Sequence, residues 1–136
     1  MRDYRFKGFH PDQNGKTVIK LNGKEIRGDW KYGDLHSDGP FIDEHYVLPE
    51  TAGQFTGLTD KKGKEIFEGD IANINGALGD SSQNGVVEYC EAEYIIKLKR
   101  IDDNFDCWAR LNDWISKLEV IGNIFENPEL LGVGIE

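Results

Sequence analysis

The side chains that could do chemistry are few, and they are scattered along the chain. His10, His36 and His45 are the only histidines. A metal site needs several such ligands converging on one point, and an acid–base site needs an imidazole beside a partner that orients it. Only His36, Asp38 and His45 stand close enough in sequence to meet, across the turn at Gly39-Pro40. Even so, they read better as surface loop residues. The carboxylates Glu68, Asp70, Glu88, Glu91 and Glu93 form a second set, able to act as acid and base if two of them flank a cleft. They fall at bends and turns, however, where acidic groups bond backbone N–H groups and keep strand edges soluble. The third set is aromatic: Trp30, Tyr32, Tyr89, Tyr94, Trp108 and Trp114. On a small barrel such rings can form a stacking platform for single-stranded nucleic acid, normally interleaved with basic residues. Only Lys97, Lys99, Arg100 and Arg110 are near them in sequence. Packing in the core and between subunits is therefore the expected use.

Other chemistries are missing their patterns. The stretch from Gly53 to Thr59 has the glycines of a phosphate loop but not its Gly-Lys-Ser/Thr ending or a following helix, and no nucleophile elbow or dinucleotide fingerprint occurs. Cys90 and Cys107 are single cysteines without Cys-x-x-Cys spacing, so they are expected to be buried free thiols. The net charge of −9 opposes non-specific attraction to phosphate backbones, which depends on Lys and Arg displacing counterions. Nucleic acid is thus a disfavoured partner. With 38% hydrophobic and 30% charged residues the chain has the make-up of a soluble globular domain. No apolar run is long enough to span a bilayer and the N-terminus lacks the apolar middle of a signal peptide, so the expected location is cytoplasmic. No residue is assigned a catalytic, cofactor-binding or metal-binding role; no cofactor is expected, and the protein is read as not an enzyme.

The elements that would position these groups are short strands. Arg5 to Phe9 alternates polar and apolar residues and predicts a first strand. Thr17-Val18-Ile19-Lys20-Leu21, Asn22-Gly23, Lys24-Glu25-Ile26 predicts a hairpin, since Asn-Gly accepts positive φ at both central positions of a type I′ turn. Trp30 to Leu35 continues as a strand with Trp30 and Tyr32 on one face, expected to face the core. A further strand is expected between Phe41 and Leu48, ended by Pro49. At Asp60-Lys61-Lys62-Gly63 a carboxylate able to bond its own backbone opens a turn, and a glycine free to take positive φ closes it. A second hairpin is therefore expected between Gln54-Phe55-Thr56 and Ile66-Phe67. Glu68-Gly69-Asp70 predicts a bend before Ile71 to Ile74. Gly76 to Gly85 reads as a glycine- and serine-rich loop. Val86 to Cys90 and Tyr94 to Lys99 predict a third hairpin, with Tyr94, Ile96 and Leu98 on one face and Lys97 and Lys99 on the other. Phe105 to Trp114 suits either a strand with Cys107, Ala109 and Leu111 inward or the start of a helical turn, and we favour the strand. Glu119 to Phe125 closes the set, followed by a short helix with Asn127 as N-cap and Pro128 in its first position.

Many short strands with little helix argue for a β-barrel or sandwich. Three segments narrow the choice. Pro49 to Ile71, Pro-Glu-Thr-Ala-Gly-Gln-Phe-Thr-Gly-Leu-Thr-Asp-Lys-Lys-Gly-Lys-Glu-Ile-Phe-Glu-Gly-Asp-Ile, resembles the central signature of the YopX family of phage and prophage proteins. Trp30-Lys31-Tyr32-Gly33-Asp34-Leu35 is similar to that family's Trp-x-Tyr-Gly-x-Leu, and Glu119 to Leu131 to its closing segment. The first dozen residues and the Gly76 to Gly85 stretch depart from it. The resemblance implies a mostly β protein: an SH3-like small barrel in residues 57–136 and an additional N-terminal β-sheet subdomain in residues 1–56, together one YopX-like domain with little helix. It also implies a homo-oligomer of unassigned biochemical activity. On this basis the expected function is a phage- or prophage-associated, non-enzymatic protein-interaction module with a phage or host protein partner. A nucleic-acid-binding small barrel is the alternative.

Overall fold

The computed structural model describes residues 5–36, 38–78, 81–99 and 106–131. In chain order it contains β1 (Arg5–Pro11), β2 (Thr17–Leu21), β3 (Lys24–Asp34), β4 (Phe41–Ile42), β5 (His45–Tyr46), β6 (Leu48–Thr59), β7 (Glu65–Phe67), β8 (Asp70–Leu78), β9 (Ser81–Cys90), β10 (Glu93–Lys99), β11 (Asp106–Arg110), α1 (Leu111–Trp114), a 3-10 turn (Ile115–Lys117), β12 (Leu118–Asn123) and a second 3-10 turn (Pro128–Leu130). The described residues are mostly β with little helix, in a curled half-barrel sheet and another sheet. It divides into two compact units, Met1–Phe55 and Thr56–Glu136.

In the first unit β1 is central, flanked by β3 and β6, and β2 lies outside β3. The β2–β3 hairpin turns at Asn22 and Gly23, whose φ values of 53° and 79° are the left-handed pair that Asn-Gly was expected to supply. Phe9 and Trp30 are register partners with rings edge to face at 5.2 Å, and Phe9 is fully buried. Lys7, also buried, holds its ammonium 4.9 Å from the centre of the Trp30 ring, a cation–π contact. The face shared by Trp30 and Tyr32 is not core: Trp30 is only half-buried and Tyr32 is 54% exposed.

Between Phe41 and Leu48 the expected single strand is instead the two-residue β4–β5 pair followed by the start of β6. Pro49 does not end a strand but lies second in β6. It is tolerated there because the β1–β6 register jumps at that point, from Phe9↔Leu48 to Lys7↔Gly53, so no ladder bond is demanded of it. The Thr51 hydroxyl fills the gap, accepting from the Phe9 N–H (2.8 Å) and donating to the Leu48 carbonyl (2.6 Å).

In the second unit β6 runs out through Thr59, and β7 returns beside it. β8 to β12 form an antiparallel sheet of order β11-β10-β9-β8-β12. Its inner face buries Ile66, Ala72, Ile74, Val87, Ile96, Leu98, Leu111, Leu118 and Val120, with Leu58, Tyr94, Trp114 and Ile115 packed against them. The alternation Tyr94, Ile96, Leu98 faces inward as expected. Two expectations are corrected. Within Gly76 to Gly85 the chain is largely strand: β8 extends to Leu78 and β9 starts at Ser81, residues 79–80 lying outside the described part. Backbone ladders need no apolar side chains, so a polar, glycine-rich stretch can pair when its neighbours hold the register. Of Phe105 to Trp114, Phe105 lies outside the described residues, Asp106–Arg110 is strand, and the chain then turns helical at Leu111. Leu111, Trp114 and Ile115 are spaced i, i+3, i+4 and all meet the core, a helical pattern that the inward alternation of the strand reading obscured.

The β9–β10 hairpin turns on Glu91 (φ 50°) and Ala92 (φ 71°), two ordinary L-residues in the left-handed region. This conformation costs each roughly 1 kcal/mol or more relative to glycine. Replacing Glu91-Ala92 by Asn-Gly is therefore expected to stabilise the protein by about 1–2 kcal/mol. In urea unfolding this would appear as a higher midpoint with an unchanged slope.

Candidate functional site

The signature residues converge on backbone geometry. Asp60, buried to 6% exposure, opens the turn between β6 and β7. Its Oδ1 accepts from the Lys62 and Lys64 N–H groups (both 2.9 Å), and its Oδ2 accepts from the Val120 N–H of β12 (2.8 Å). The turn closes with Gly63 at φ 86°, its N–H donating to the Asp60 carbonyl. Beside it, the Lys61 N–H donates to the Leu118 carbonyl (3.0 Å), so the outer edge of β12 is covered by this turn. The carboxylate expected to bond its own turn therefore also holds a strand distant in sequence. Burial pushes the Asp60 carboxyl up, but the three N–H bonds and the Lys64 charge outweigh that, and it lies below its ordinary value of 3.8. The neighbouring ion pair, Lys62 to Glu119 at 3.0 Å, is largely exposed on the lysine side and contributes little.

Asp70 and Asn123 work the same way. Asp70, buried at the bend between β7 and β8, accepts from the Phe67 N–H (2.8 Å). Asn123 Oδ1 accepts from the Phe125 and Glu126 N–H groups (both 2.9 Å), and its Nδ2 donates to Glu126 Oε2. Asn127 stands at the N-cap position of a 3-10 turn rather than of an α-helix, and its side chain does not cap it. Its Oδ1 accepts instead from the Asn123 N–H (3.3 Å), pulled back against the strand because Gly122 leaves room. A Cβ on Gly122 would come within 2.3 Å of that oxygen.

The groups considered for chemistry are not brought together into one site. His45 meets His10, not His36: the two rings lie edge to face at 5.3 Å, and His10 Nδ1 is 2.7 Å from the Tyr46 carbonyl. Among the described residues no three His, Cys, Asp or Glu side chains gather as metal ligands. Glu68 lies in the bend before Asp70, and Glu91 in the β9–β10 turn. Glu93 pairs with Arg110 at 3.6 Å, and Glu88 stands opposite Ile95. Cys90 is exposed rather than buried, because it falls on the outer face at the hairpin end. The side chain of Cys107 lies outside the described part.

The aromatic rings of the second unit are divided by the pleat. Tyr89 and Tyr94, register partners with rings 5.0 Å apart, share the inner face, with Tyr89 at the hairpin end 55% exposed. Trp114 packs on the core. Trp108, opposite Lys97, is on the other face and 60% exposed. No single platform carries them all. Arg100 lies outside the described residues, and Lys99 pairs in register with Asp106.

The fold and its tied turns define a class: a small antiparallel β protein of two units, whose most constrained polar residues shape its backbone. Within that class the chain belongs to the YopX family, whose model, described as YopX protein, matches residues 6–132. It is 27% identical over 127 residues to the SPbeta prophage-derived uncharacterized protein YopX of Bacillus subtilis (strain 168), covering 90% of this chain and 87% of that one. The crystal structure of protein EF1440 from Enterococcus faecalis is 28% identical, covering 93% of this chain and 86% of that one, with a TM-score of 0.42.

Replacing Asp60 by Asn leaves a poor acceptor facing three N–H groups and is expected to cost about 3 kcal/mol. The wild-type contribution is complete above the unfolded value of 3.8 and is lost as pH falls through the lower folded value. Denaturant unfolding at a series of acid pH values should show this component in the wild type and not in Asp60→Asn. Gly122→Ala should cost about 1–3 kcal/mol by overpacking. In a double-mutant cycle, Asn127→Ala should relieve part of that loss.

Proposed function

We infer that this protein is a phage- or prophage-associated, non-enzymatic interaction module that assembles with itself and acts on a protein partner. The prophage origin of its Bacillus subtilis relative supports the biological setting. The observation that carries the reading is a division of labour between two sets of side chains. Asp60, Asp70 and Asn123 are spent on backbone N–H groups, while Tyr32, Phe41, Tyr46, Tyr89 and Trp108 stand 41–60% exposed. Exposed aromatic rings supply large contact area at low entropic cost and are enriched at protein interfaces. No helix among the described residues is long and apolar enough to cross a membrane. A cytoplasmic location in the bacterial host belongs to the same proposal.

A second reading, a nucleic-acid-binding module, draws on the placement of Trp108 beside Lys97 and two residues from Arg110. Against it stands the net charge of −9. Purifying the tagged protein from its bacterial host, with a nuclease-treated sample in parallel, separates the two. The expected outcome is a stoichiometric protein partner that survives nuclease. Recovery of nucleic acid, or of proteins lost on nuclease treatment, would overturn the protein-partner reading in favour of the second.

A further inference from the structure

His10 on β1 and His45 on β5 are far apart in sequence, and they meet because β4 and β5 lie against β1 within the first unit. Both side chains are half-buried, and their rings stand 5.3 Å apart with planes at 71°. His10 Nδ1 is 2.7 Å from the Tyr46 carbonyl oxygen. A carbonyl only accepts, so Nδ1 carries the hydrogen and, in the neutral ring, Nε2 keeps a bare lone pair. This is how a metal-ligating histidine is held: one nitrogen fixed by a backbone carbonyl, the other free to coordinate.

The separation of the rings fits one coordination geometry. A zinc–nitrogen bond of about 2.0–2.1 Å, added to the distance from nitrogen to ring centre, puts each imidazole centre roughly 3.2 Å from the ion. Two such rings at the tetrahedral angle have centres about 5.2 Å apart, and at a right angle about 4.5 Å. The observed 5.3 Å matches the tetrahedral value. Turning the His45 ring about its Cβ–Cγ bond, a soft torsion, aims a nitrogen at the ion while leaving the ring centre nearly in place. Edge-to-face packing by itself accounts for contact anywhere between about 4.5 and 7 Å, but it does not require one ring to present a bare nitrogen. Asp29, the register partner of His10 on β3, shares its face and adds a negative charge nearby, its Oδ1 accepting from the Lys16 N–H (3.1 Å). Among the described residues no third His, Cys, Asp or Glu completes a ligand set, so two coordination positions are left to water.

We propose that His10 and His45 together bind a divalent transition-metal ion, zinc being the best match, through His10 Nε2 and one nitrogen of His45. Imidazole ligands and a tetrahedral angle suit zinc, whereas square-planar copper and nickel sites call for right angles, and magnesium and calcium call for oxygen ligands. The site goes beyond the interaction role inferred above and does not depend on it. Once one imidazole has captured the ion, the second binds it intramolecularly, so the pair holds it far better than either ring alone.

Calorimetric titration of the tag-free full chain with zinc at neutral pH tests the site. The wild type should take up one ion per chain. His10→Phe and His45→Phe, which keep an aromatic ring but remove its nitrogens, should each weaken binding roughly tenfold or more, and His36→Ala and Cys90→Ser should leave it unchanged. In parallel, NMR of the wild type should show the ring-proton signals of His10 and His45 moving as zinc is added while that of His36 stays, a readout that holds even where a Phe variant fails to fold. Magnesium should move none of them. Absence of zinc uptake overturns the proposal, as does uptake that survives both Phe changes. A zinc titration that leaves the His10 and His45 signals in place, or an equal response to magnesium, overturns it as well.

Discussion

The second unit hangs on one buried carboxylate. Asp60 satisfies two N–H groups of its own turn and one of β12, whose sequence lies about sixty residues away. A buried charge is costly unless its lone pairs are engaged, and here three donors engage them. The same contact, with the neighbouring Lys61 to Leu118 bond, covers the β12 edge that would otherwise be exposed. One side chain thus sets a local turn and covers one edge of the curled sheet.

Asp70 and Asn123 repeat the device at smaller scale. Each bonds backbone within a few residues, Asp70 at the bend between two strands and Asn123 where the chain leaves β12. The motifs by which this chain resembles its family are therefore concentrated on bends, and the chemistry of these residues is spent on folding. A carboxylate already accepting backbone N–H bonds in a buried turn is poorly placed to exchange protons with a substrate. In contrast, the side chains of Phe41, Tyr46, Tyr89 and Trp108 stand 41–60% exposed.

The strand interiors and turn residues were legible because their signals are local. Asn22-Gly23, Asp60 to Gly63 and the alternation Tyr94, Ile96, Leu98 each express a rule satisfied within a few residues. The misreadings occurred where a local rule was overridden. Gly76 to Gly85 looks like a loop, yet it is drawn into strands by the register of Ile71 to Asn75 with Ser82 to Val86. Pro49 looks like a terminator, yet a register jump spares it a ladder bond. Asn127 has the composition of an N-cap, yet its oxygen is claimed by the Asn123 N–H. Leu111 fits an inward strand position and a helical i, i+3, i+4 set equally well, and core contact decided for the helix.

The sequence by itself determined the class: mostly β, little helix, hairpins at particular dipeptides, an acidic chain, and family membership. Periodicity, turn chemistry and charge are properties of residues near one another along the chain. Only the tertiary structure decided that Asp60 reaches Val120, that His10 rather than His36 meets His45, and that Cys90 is exposed. It likewise decided that the aromatic side chains of the second unit fall on opposite faces. These depend on which strands lie side by side, and strand order is set by long-range pairing and by the burial of a shared core.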